Sequence, residues 1–139
     1  MNVEINKHDP ENGLFGNCNQ MCLNFLLKRT DAPHFFNSGN NEQAHKDYDA
    51  WLKDNRLFRI LIAYNAKPNE VLDTIDIYNP NLKYIMIADS GVADHSVVCQ
   101  GGKIIYDPAG RIKSFVGPTR YDGNTWVEII VKRGLEDES

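Results

Sequence analysis

Asp94-His95-Ser96-Val97-Val98-Cys99-Gln100-Gly101-Gly102-Lys103-Ile104-Ile105-Tyr106-Asp107-Pro108 sets two apolar runs on either side of a glycine pair. Branched and aromatic residues flanking a short glycine turn signal a β-hairpin. Register decides what the hairpin carries. A two-residue Gly101-Gly102 turn pairs 100 with 103 and 96 with 107, which sends His95 and Asp107 to opposite faces. A three-residue loop over 100–102, closed by a glycine bulge, pairs 99 with 103 and 95 with 107. The His95 and Asp107 Cβ atoms then lie about 5 Å apart. Adjacent glycines suit the bulged loop, whose last position wants positive φ, and this register makes Val97 and Ile105 partners. A carboxylate beside an imidazole fixes its tautomer and stabilises the imidazolium.

Upstream of the hairpin, helical patterns precede strand patterns. Apolar residues at 18, 21, 22, 25 and 26 trace one helical face, with Asn17 at the N-cap position and Thr30-Asp31-Ala32-Pro33 as the stop. A second helix is expected over 41–54, burying Ala44, Tyr48, Trp51 and Leu52. A third, short one runs from Asn69, its cap, to about Ile77. Strands are expected at 57–64, 83–88, 96–99, 103–106 and 126–131, with a first short one around Val3 and Ile5. Helices first and strands second predict an α+β fold with an antiparallel sheet. The 139 residues fit a single domain, 1–139, with a flexible acidic tail over 134–139.

Cys18 falls in the first turn of the first helix, after Gly16-Asn17. Unpaired N–H groups and the helix dipole stabilise an anion there and make a thiol more acidic. The same groups can hold an oxyanion. Packing alone would also account for a small apolar residue at this position. Cys22, among Met21, Phe25 and Leu26, and Cys99, inside a strand, read as core residues. His8 and His34 fall in loops and His45 on the polar side of the second helix, so all three read as surface or structural. Pairing Cys18-x3-Cys22 with His95-x3-Cys99 makes no zinc site, because residues four apart on a strand are about 13 Å apart. No metal or cofactor is expected.

Taken in order, Gly16-Asn17-Cys18 opening a helix, Pro33-His34-Phe35, and Asp94-His95-Ser96-Val97-Val98 leading to Tyr106-Asp107-Pro108 resemble a family of small papain-like cysteine peptidases. These occur in bacteria and phages and are related to the peptidases that cut after double-glycine leaders. The resemblance spans about residues 12–110. It implies a papain-like fold, the nucleophile helix packed on an antiparallel sheet, with Cys18 as nucleophile, His95 as base and Asp107 orienting the base. Papain-like enzymes carry a glutamine oxyanion donor about six residues before the nucleophile; Asn12 stands there in this chain. Asn124-Thr125-Trp126 echoes the Asn-Ser-Trp of papain, which makes Asn124 the alternative orienting residue. The implied activity is hydrolysis of a peptide, isopeptide or related amide, or acyl transfer by the same machinery. The other reading is a catalytically silent module on the same scaffold, such as a phage protein that sequesters a host factor.

Composition bounds the partners. A formal net charge of −4, a pI near 5.5 and scattered lysines and arginines argue against nucleic acid, which demands clustered positive charge. No apolar run reaches membrane-spanning length, and Met1-Asn2-Val3-Glu4-Ile5-Asn6 is not a signal peptide. Three cysteines without a scaffold spacing point to free thiols and a cytoplasmic address. The expected partner is a peptide or protein substrate.

Overall fold

The computed structural model describes residues 16–110 and 114–134. The expected first strand around Val3 and Ile5, position Asn12 and the tail beyond Gly134 lie outside them. Three helices, α1 (Cys18–Leu27), α2 (Asn41–Asp54) and α3 (Pro68–Tyr78), combine with five strands. These are β1 (Leu57–Tyr64), β2 (Tyr84–Asp89), β3 (Asp94–Gln100), β4 (Lys103–Tyr106) and β5 (Thr125–Lys132). All pairings are antiparallel, in the order β1-β5-β2-β3-β4. The α+β expectation holds at this level.

Successive strand residues point to opposite faces, so the sheet feeds two cores. One face carries Met86, Val97 and Val127 against Val71 and Leu72 of α3. The other sets Ile85 and Val98 against Cys22 and Leu23 of α1 and Tyr48 and Leu52 of α2. Each such side chain contributes about 1.5–3 kcal/mol by leaving water.

Helix ends depart from expectation in instructive ways. α1 stops at Leu27, before the Thr30–Pro33 segment, because Lys28 turns left-handed (φ 54°) and Arg29 N–H closes onto the Asn24 carbonyl at 3.0 Å. Pro33 therefore follows the stop without causing it. α3 begins one residue earlier than Asn69: Pro68 takes the first helical position, where its missing N–H costs nothing, and Lys67 is the cap. α2 matches 41–54, capped by Asn40, whose side chain accepts from Gln43 N–H at 3.2 Å.

The hairpin takes the other register. Gln100 pairs with Lys103 across a two-residue turn, and Gly101 and Gly102 have φ of 63° and 77°. Two adjacent glycines satisfy both left-handed positions of a tight hairpin turn, which is why the three-residue loop loses. The insertion comes later instead. Cys99 pairs with Ile104 but Val98 with Tyr106, so Ile105 is an extra residue on β4. Ile105 is thus a bulge residue and not the partner of Val97. It and Tyr106 both pack toward the α1–α2 core, and the alternation is reset one residue before Asp107.

Candidate active site

That reset positions the carboxylate. Without the bulge Asp107 would face as Ser96 does; with it, Asp107 shares the alternation of His95. His95 Nε2 and Asp107 Oδ1 meet at 2.5 Å, with both side chains largely buried. Asp107 is held in turn by Ala109 N–H, which donates to the same oxygen at 2.9 Å. The expected pairing of 95 opposite 107 does not form, since Tyr106 pairs with Val98, but the side-chain contact it was to provide forms by this other route.

Cys18 reaches this pair because α1 packs across β3. One turn into the helix, the Cys22 thiol donates to the Ser96 carbonyl at 3.4 Å, which sets the start of α1 over the start of β3. The Cys18 thiol hydrogen-bonds to His95. Since Asp107 occupies Nε2, Nδ1 is the nitrogen on the thiol side. Asn17 is the N-cap, as expected, but its side chain makes no cap hydrogen bond and donates to Gln20 Oε1 at 3.1 Å instead. The first-turn N–H groups are thereby left to other acceptors.

Electrostatics favour a charged pair. Burial by itself would push the Cys18 thiol up, but the hydrogen bond and charge of His95, with the backbone and side chain of Ser96, outweigh it and hold Cys18 below the ordinary thiol value. Burial pulls His95 down, yet its hydrogen bonds to Cys18 and Asp107 and their negative charges leave it above the usual imidazole value. Both shifts favour thiolate beside imidazolium. The other two thiols behave oppositely. Burial drives Cys22 well above the thiol range and takes Cys99 to about 12. Cys22 and Cys99 belong to cores on opposite faces of the sheet, and among the described residues no group of three or more His, Cys, Asp or Glu side chains is placed to hold a metal ion.

Asn124 stands apart from the pair. Its carbonyl accepts from Thr119 N–H and its own N–H donates to Asp122, closing the loop before β5. His95 is oriented by Asp107. Asp94, the residue before His95, accepts from Arg120 and Tyr121 N–H at 2.7 and 3.1 Å, tying that loop to the end of the hairpin. Of the remaining histidines, His45 contacts Arg59 and stacks edge-on to Phe36, a structural place.

Two groups escaped the sequence reading. Ser96 adjoins Cys18, and the only signal for it was a buried hydroxyl in an apolar strand. A network of Tyr48, Glu128 and Arg59 pins α2 to β5 and β1, with Arg59 also on Asp49 at 2.7 Å and over the Tyr48 ring at 4.2 Å. Glu128 is 2% exposed. A glutamate within an apolar strand gave a trace of it, but its partners lie 69 and 80 residues away.

Compared with family models, curated proteins and solved structures, the chain matches none.

Proposed function

We propose that the protein is a papain-like cysteine hydrolase of a peptide, isopeptide or related amide bond. The observation that carries this reading is the Cys18–His95–Asp107 chain of hydrogen bonds, with a thiol made more acidic and an imidazole made more basic. The Cys18 thiolate attacks the carbonyl carbon, forming a C–S bond and an oxyanion. First-turn N–H groups of α1 are the natural donors to that oxyanion. His95 gives its proton to the amine nitrogen as the C–N bond breaks. Water then adds to the thioester, losing its proton to His95, and the acid leaves as the thiolate returns. An amine in place of water gives acyl transfer. Asp107 keeps Nδ1 aimed at sulfur throughout and stabilises the imidazolium.

The substrate is a peptide or protein, and free thiols fit a cytoplasmic setting. Among the described residues no helix is long and apolar enough to cross a membrane. Turnover of a peptide mixture tests the reading: Cys18→Ala and His95→Ala each abolish it while the circular dichroism stays native. The double variant is hardly worse than either single one, because both act as one unit. Retention of the biological effect by Cys18→Ala would instead mark a binding module on the same scaffold.

A further inference from the structure

Ser96 is the third residue of the site's strand, β3, and is 5% exposed. It pairs with Ile87 across the sheet, two residues before Val98, which packs on α1. By alternation its side chain faces α1 as Val98 does, toward the turn that begins with Cys18. Its hydroxyl and its backbone both hydrogen-bond to Cys18. Its carbonyl is engaged from the same helix, by the Cys22 thiol at 3.4 Å. One residue is therefore gripped by two cysteines a helical turn apart, and its acceptor is already taken by the second of them.

We propose that Ser96 is a further residue of the nucleophile site, with its hydroxyl and N–H donating to the Cys18 sulfur and holding it as an anion, while Cys22 occupies the carbonyl. The inference rests on Cys18 being the nucleophile. A hydroxyl donor gains little from a thiol but makes a charge-assisted bond to a thiolate. A buried hydroxyl in an apolar strand is a cost unless it is hydrogen-bonded, and Cys18 is its partner. Burial raises Cys22 well above the thiol range, so it stays protonated and remains a donor to the carbonyl. The core cysteine thereby orients the serine that serves the reactive one. Ser96 acts on sulfur and His95 on the proton, so their losses read differently.

The test is the rate of Cys18 alkylation by iodoacetamide against pH, which needs no substrate. For Ser96→Ala the midpoint moves up, and the rate at neutral pH falls roughly tenfold, as expected when one donor to an ion is removed. The melting curve confirms that the variant is folded. Ser96→Thr and Ser96→Val, alike in shape and differing only in the hydroxyl, isolate that group: the midpoint for Thr stays near that of the natural protein and that for Val rises. An unchanged midpoint in Ser96→Ala, or equal midpoints for Thr and Val, overturns the proposal. Either result would leave the hydrolase reading standing on His95 alone, whereas an unreactive Cys18 in the unaltered protein would remove that reading first.

Discussion

At Cys18 burial works against ionisation and loses to a histidine and a serine. Cys18 lies below the ordinary thiol value and His95 above the ordinary imidazole value. Thiolate is lost as pH falls through the lowered Cys18 value, and imidazolium as pH rises through the raised His95 value. Each charged form supports the fold on its own side of its limit, the thiolate above the lowered Cys18 value and the imidazolium below the raised His95 value. Iodoacetamide at neutral pH should therefore label Cys18 before Cys22 or Cys99, with peptide mapping as the readout. Preferential labelling of either core thiol would move the nucleophile elsewhere. Replacing His95 with Ala removes both a hydrogen bond and a charge, so the alkylation midpoint of Cys18 should rise toward an ordinary thiol's. The residues of this site were legible in the sequence because each has a local signature: a cysteine at a helix start, and a histidine and an aspartate flanking a glycine hairpin. Ser96 was not, because a serine announces no role until its neighbour across space is known.

Elements convert those residues into geometry, and the β4 bulge does most to do so. The hairpin itself was legible, but its register was not: glycine pairs serve a two-residue turn or a bulged loop equally well on paper. Gly101 and Gly102 settled the turn, and Ile105 restored the phase. Deleting Ile105 should give a regular ladder that still sets Tyr106 opposite Val98 and keeps Asp107 on the His95 side. The expected result is a folded chain whose Cys18 alkylation midpoint is unchanged; a raised midpoint would mean that the bulge does more than set the phase. A second element-level prediction concerns the seat of α2. Arg59, 8% exposed at its side chain, balances buried Glu128, so Arg59→Ala strands a charge in the core. The loss should be about 3–5 kcal/mol in urea unfolding, and Arg59→Met should lose less by keeping the volume. A loss under about 1 kcal/mol would show that Tyr48 alone satisfies the carboxylate.

Across the whole molecule, the start of α1 meets the β3–β4 hairpin, more than seventy residues away in sequence, at one end of the sheet. Cys18 comes from the first described helix, His95 from an interior strand and Asp107 from the residue that follows the edge strand β4. Strand existence and fold class followed from local patterns, since period and composition act over a few residues. Strand order did not. β5 inserts between β1 and β2, pairing residues such as Leu57 and Lys132, and no local pattern encodes that return. The central claim is that Cys18 and His95 form one acyl-transfer unit, and intact mass after exposure to an activated acyl ester tests it most directly. The account predicts a single acyl adduct mapped to Cys18, absent in Cys18→Ala and formed at least a hundredfold more slowly in His95→Ala, as loss of a general base entails (roughly 10²–10⁴-fold). Acylation at Cys22 or Cys99, or an adduct on Cys18 that forms as fast without His95, would contradict it.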